Sequence, residues 1–378
     1  ASDGLDQRSV GDLHTIYAEK GSAIGDVSAR GASVSDRVRV AKILFRGVRG
    51  CKVAAAWTDE AALAIVRDFW SFYAKLDKYY LWSEDVNRPP SGAHASDSLV
   101  IVFVSHSWDP PKDWAKVMGS GADYAEVKAT ELYCGARSIA ASHYGDPERW
   151  GDVCLWVDKC CIPQGSKGLM EWCVGLLEQF IQSSDRLMVL MTWVYFERLW
   201  CIYEWACILA NKDPDAITIC IDPFLRPATV QHFVSAIKNS SVANCKCKVE
   251  SDRPIIDAKV TEYYVSHAAF EKFMKFTAIA LIGRELAARR CASAVKDMAP
   301  WVGLAEDLGL RALAASLRKM TVHCEDWWLR RAATVGDGLS VDVQSQTQAF
   351  VSKQFKESIQ PLVDKVRAAA LKADVIAA

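Results

Sequence analysis

At 378 residues the chain is long enough for two or three domains, or for one core with large helical additions. Hydrophobic residues at 51% and charged residues at 24% read as an ordinary soluble globular protein. A formal net charge of -1 gives no electrostatic reason to expect nucleic acid or an anionic membrane, and no run approaches the roughly 18 apolar residues of a spanning helix.

The N-terminus, Ala1-Ser2-Asp3-Gly4-Leu5-Asp6, has no basic n-region and no apolar h-region, so no signal peptide is expected. The missing initiator Met means a processed or trimmed chain, and a targeting segment already removed stays open. Residues 1–34, rich in Gly, Ser, Ala and Asp, read as an extended or loosely ordered arm. Residues 35–82 read as a helical extension. One helix runs from Asp36 to near Gly47 or Gly50. A second starts at the cap Thr58, carries Leu63, Val66, Trp70, Tyr73 and Leu76 at helical spacing, and ends near Trp82. Residues 83–98, with Pro89-Pro90 and Gly92, read as a linker.

From 99 to 250 short apolar runs alternate with helical text. Strands are expected at 99–104, 153–157, 186–191 and 216–221, with a short fifth at 247–250. Helices are expected from Pro110-Pro111 through Met118 and at 124–141, 169–182, 196–210 and 229–238. This alternation implies an α/β domain with a parallel five-stranded sheet covered on both faces. In such sheets ligands bind beyond the carboxyl ends of the strands, which places 105–108, 158–165 and 192–195 on one rim. The C-terminal region, 260–378, reads as helices at about 267–294, 300–319 and 345–375, with Trp327-Trp328 between the last two.

The thirteen cysteines are scattered, odd in number and mostly set in apolar segments. No CxxC pair occurs, and Cys245-Lys246-Cys247 does not have structural zinc spacing. They read as reduced thiols of an intracellular, reducing compartment, the cytoplasm. The seven histidines show no metal-ligand spacing, so no metal is assigned.

The most informative stretch is Leu199 to Ala210. All of it is apolar, aromatic or cysteine except Glu204. A helix apolar on every side is buried, and a carboxylate in it must be paired, protonated or turned to a cavity. Glu204 is therefore either half of an internal ion pair, with Arg198 or a neighbouring Lys, or a carboxylate placed at a site.

Three segments in order resemble one family. Val102-Phe103-Val104-Ser105-His106-Ser107-Trp108 looks like the first strand and loop of a TIR domain. Leu155-Trp156-Val157-Asp158-Lys159 with Ile162-Pro163-Gln164-Gly165 resembles its second strand and BB loop. Val189-Leu190 through Tyr195, then Trp200-Cys201-Ile202-Tyr203-Glu204, resembles its third strand and the Trp-Cys-x-x-Glu opening of the αC helix. The second segment is also similar to fungal heterokaryon-incompatibility domains. The resemblance covers about 98–250 and implies a flavodoxin-like, TIR-like fold.

Catalytic members of the family cleave NAD+ at the nicotinamide–ribose bond with the αC glutamate, here Glu204. The resemblance then implies Ser105, His106, Ser107, Trp108, Asp158, Lys159, Tyr195 and Trp200 around the nucleotide, with NAD+ as substrate and no resident cofactor. The chemistry suits one carboxylate, because the pyridinium leaving group needs no acid and the ribosyl cation needs a negative neighbour. Other members are non-catalytic modules that assemble with other proteins or with themselves. Arg198-Leu199 before the motif, Trp205 after Glu204, Thr192 and the long insert 119–152 depart from the family pattern and favour assembly. Core packing for Trp200 and Cys201, a backbone-bonded His106 and a turn-capping Asp158 are the structural alternatives at the same positions.

Overall fold

The computed structural model describes residues 18–25, 32–50, 80–82, 99–163, 166–221, 225–335 and 341–373. The linker expected at 83–98, most of the arm, and the body of the helix expected from Thr58 lie outside them. The chain forms two compact units: residues 1–191 with 215–223, and residues 192–214 with 224–378.

In the first unit, helix α1 (Val34–Leu44) opens with a capping box. Ser33 accepts from the Asp36 N–H, and the Asp36 carboxylate accepts from the Ser33 N–H. The chain then straightens at Phe45 into β1 (Arg46–Arg49). Helix had been expected there, and likewise at β2 (Tyr80–Trp82). The difference is tertiary. β1 pairs antiparallel with β2 on one side and with β4 on the other, and this pairing overrides the local helical pattern.

The remaining strands are β3 (Ile101–His106), β4 (Cys154–Val157), β5 (Arg186–Leu190) and β6 (Ile217–Cys220), all parallel. The sheet is mixed and six-stranded, in the order β2-β1-β4-β3-β5-β6. The five-stranded, wholly parallel sheet expected from the sequence is corrected in two places. Two strands join from the N-terminal region through antiparallel pairings, and 247–250 forms no strand. Those residues run as a loop into a 3-10 turn at Glu250–Asp252.

Register shows how both faces are covered. Phe103 lies beside Trp156 and Leu187. Phe103 and Trp156 stack at 4.4 Å, and Phe180 and Phe45 continue the aromatic column. Phe180 comes from a helix at Leu177–Ser183, which follows one at Lys167–Gly175 where a single helix was expected. The opposite face carries Met188 and Cys220. Both sit against Gly135 of the long helix α2 (Tyr124–Tyr144), where a Cβ would come within 2.7 Å of Cys220 Sγ. A short helix at Trp114–Met118 precedes α2.

The second unit is helical. Helix α3 (Leu199–Asn211) is buried along nearly its whole length. Trp205 donates its indole N–H to Thr277 Oγ1 at 3.0 Å, and the Tyr264 hydroxyl donates to the Ala206 carbonyl at 3.0 Å. Helices follow at Pro227–Asn239 and Arg253–Tyr263. Then come α4 (His267–Arg289), α5 (Ala294–Asp307), α6 (Arg311–Val335), α7 (Val341–Ser358) and α8 (Gln360–Ala370). The pair Trp327-Trp328, expected between helices, lies inside α6, where Trp327 stacks on Phe350 of α7. The helix expected over 345–375 is broken before Pro361, whose ring suits a first helical turn and not an interior. No helix among the described residues is long and apolar enough to cross a membrane.

Candidate functional site

The strand ends of the first unit bring together His106, Ser107, Trp108 and Asp158. β3 delivers His106 as its last residue, and Asp158 follows β4 directly at the head of a one-turn helix, Asp158–Cys161. Since the two strands are parallel neighbours, their C-terminal ends coincide and the side chains meet. His106 Nε2 lies 3.1 Å from Asp158 Oδ1, and the Trp108 indole N–H donates to Asp158 Oδ2. The His106 side chain is 3% exposed and that of Asp158 22%. The other imidazole nitrogen, Nδ1, lies 3.2 Å from the Ser107 carbonyl oxygen.

Ser107 is also satisfied locally. The Tyr124 hydroxyl donates to the Ser107 carbonyl at 2.8 Å and lies 3.0 Å from Ser107 Oγ. Tyr124 in turn meets the edge of Trp114. One turn further along α2, the buried Lys128 donates to the Leu190 carbonyl at the end of β5 at 2.5 Å and to Glu131 at 3.0 Å. Ser105 is buried in β3.

The chemistry open to this cluster follows from its bonds. A His–Asp pair orients an imidazole, as in a hydrolytic triad, but the second ring nitrogen here faces a carbonyl. The Asp158 carboxylate uses one oxygen for each of two ring donors.

Tyr195, Trp200 and Glu204 belong to the second unit. Tyr195 is fully buried and donates its hydroxyl to the Cys201 carbonyl at 3.0 Å. Trp200 donates its indole N–H to Asp252 at 3.1 Å and meets Tyr203 edge-on. Glu204 is 7% exposed, between the buried Tyr203 and Trp205. Arg198 offers α3 no side-chain cap, and the first free N–H of the helix is satisfied by main chain from far along the sequence. The Leu199 N–H donates to the Lys246 carbonyl at 3.1 Å, and the Lys246 N–H donates to the Glu197 carbonyl at 2.6 Å. The Lys246 ammonium pairs with the Glu197 carboxylate. Residues 245–247, which lack zinc spacing in the sequence, carry this connection through Lys246.

Three residues escaped sequence reasoning. Arg46, buried in β1, donates Nε to the Cys161 carbonyl at 2.7 Å and so fixes the turn that presents Asp158. Tyr124 and Lys128 join the rim from α2. A charged residue in helical text and two helical positions gave no local signal for these long-range bonds. The Lys159 side chain and residues Gln164 and Gly165 lie outside the described residues. Burial pushes the Cys161 and Cys173 thiols up to about 12, against the opposing pull of the Arg46 guanidinium. Among the described residues no group of three or more His, Cys, Asp or Glu side chains could hold a metal ion.

No protein-family model matches the chain, and no curated protein and no solved structure matches it.

Proposed function

We propose that the α/β unit is TIR-like and that the protein acts as a non-catalytic protein–protein interaction module within a larger complex or signalling assembly. The parallel strands in the order β4-β3-β5-β6 agree with a flavodoxin-like arrangement, in which the first strand lies between the second and third. One observation carries the functional reading. The polar groups of the rim are bonded to one another: His106 and Trp108 to Asp158, and Ser107 to Tyr124. A site awaiting a nucleotide needs donors and acceptors turned toward the ligand.

The second reading is NAD+ hydrolysis with Glu204 as the carboxylate beside the ribose. It rests on the presence of a carboxylate in an otherwise apolar helix, at the position the family resemblance implies.

One experiment separates them. Purified full-length protein is incubated with NAD+ from dilute to concentrated solution, while released nicotinamide and solution mass are followed. The assembly reading expects no nicotinamide and a mass that rises with concentration or with an added partner. Nicotinamide release that disappears in Glu204→Gln overturns it in favour of the hydrolase.

A further inference from the structure

The last helices of the second unit hold a pair of cysteines that the proposed function does not use. Cys291 opens the short 3-10 turn Cys291–Ser293, which joins α4 to α5, and Cys324 sits in the middle of α6. Both are buried, 3% and 0% exposed. The Cys291 thiol donates to the Cys324 carbonyl at 3.1 Å, which puts its sulfur in contact with the backbone of Cys324. A second bond closes the same corner, from the Val295 N–H to the Glu325 carboxylate at 2.7 Å. This corner is thereby held at both ends, with the two buried cysteines in contact.

We propose that Cys291 and Cys324 form a reversible dithiol–disulfide pair, oxidised by a peroxide. The neighbouring Cys324 side chain holds the Cys291 thiol below the ordinary thiol range, which favours it as the attacking sulfur. The Cys324 thiol is pushed the other way by the Cys291 side chain and by burial. In the first step the Cys291 thiolate attacks one peroxide oxygen. The O–O bond breaks, Cys291 becomes a sulfenic acid, and the other oxygen leaves as water or an alcohol. In the second step the Cys324 sulfur attacks the sulfenic sulfur, the S–OH bond breaks and water leaves with the Cys324 proton. Two thiols lose two electrons and two protons, and the peroxide is reduced by two electrons. A small dithiol returns the pair to its starting state.

The consequence is a covalent tie between the end of α4 and the middle of α6. It closes a loop in the part of the chain that holds α5. Burial sets the rate, since the corner must open locally before peroxide reaches the sulfur.

The full-length protein is treated with hydrogen peroxide, alkylated after denaturation, digested without reductant and analysed by mass spectrometry. Cys134, which is exposed, serves as the internal control for oxidant dose. The expected product is a linked pair of peptides carrying Cys291 and Cys324, lighter by two hydrogens than their sum, lost on dithiol treatment and absent in Cys291→Ser. Hydrogen exchange across α5 should slow in the oxidised protein. Separately alkylated Cys291 and Cys324 peptides at doses that oxidise Cys134 overturn the proposal, as does a linkage of either residue to a different cysteine. The wild-type digest decides between these outcomes even if Cys291→Ser fails to fold.

Discussion

His106 and Asp158 are separated by 52 residues in sequence and by 3.1 Å in space, and the indole of Trp108 completes the same carboxylate. The parallel pairing of β3 with β4 produces this meeting, because it aligns the ends of the two strands. Removing the carboxylate leaves two ring donors without their acceptor, one of them on a nearly buried imidazole. Asp158→Ala should therefore destabilise the protein by about 1–3 kcal/mol, the cost of unsatisfied buried donors. Thermal melting checks this, and an unchanged midpoint would refute it. Trp108 emission should shift in the same variant.

Arg46 fixes the turn after β4 by its bond to the Cys161 carbonyl. Arg46→Met keeps the apolar stem and removes the donor, leaving a buried carbonyl unpaired. A loss of roughly 1–3 kcal/mol is expected in chemical denaturation. Arg46→Lys should not recover it fully, because an ammonium lacks the planar fork.

Gly135 tests two opposing effects. Alanine in the middle of a helix gains about 1 kcal/mol over glycine from propensity. Its Cβ would also meet Cys220 Sγ at 2.7 Å and Met188 Sδ at 2.9 Å. Overpacking of this kind costs typically 1–3 kcal/mol, so Gly135→Ala should be neutral to destabilising. A rise in melting temperature would show that the sulfur atoms yield at little cost.

Thr277 is the acceptor for the indole of the wholly buried Trp205. Thr277→Val keeps the shape and removes the oxygen. The stranded indole N–H should cost about 1–3 kcal/mol, read from a denaturant midpoint. Thr277→Ser, which keeps the hydroxyl, should lose less.

The Cys161 and Cys173 thiols are pushed up to about 12 by burial, whereas in the unfolded chain they ionise near ~8.5. The folded state thus holds these protons more tightly than the unfolded one. The contribution to stability is complete below the unfolded value and is lost as pH rises from there toward 12. Stability measured from pH 8 upward should fall, and Cys161→Ala with Cys173→Ala should flatten part of that fall. Native protein should react with a thiol reagent at exposed Cys134 well before either buried cysteine.

The parallel strands were legible because each is a short apolar run with a charged or polar boundary, such as Ile101–Val104 and Leu187–Leu190. β1 was not, since Arg46-Gly47-Val48-Arg49 offers one strongly apolar side chain and takes its strand form from partners on both sides. Cys247-Lys248-Val249 has the composition of a strand end, but the neighbouring Lys246 backbone is bonded at the start of α3, and the segment turns away from any ladder. At the rim, the placement of His106 and Asp158 on strand ends could be read from the sequence. Their mutual bond could not, because it depends on which strands are neighbours. Burial of Glu204 followed directly from the apolar residues around it.

The chain leaves the first unit after Met191, returns for residues 215–223 and leaves again. Edge strand β6 is thus enclosed on both sides by sequence of the second unit. No single cut yields both units whole. A fragment ending at residue 191 lacks an edge of its sheet, and one beginning at 192 carries a strand whose neighbour is missing. During synthesis the sheet likewise stays unfinished until the whole of α3 has been made. Any attempt to move one unit into another protein must therefore carry a segment of the other, or rejoin the chain in a new order.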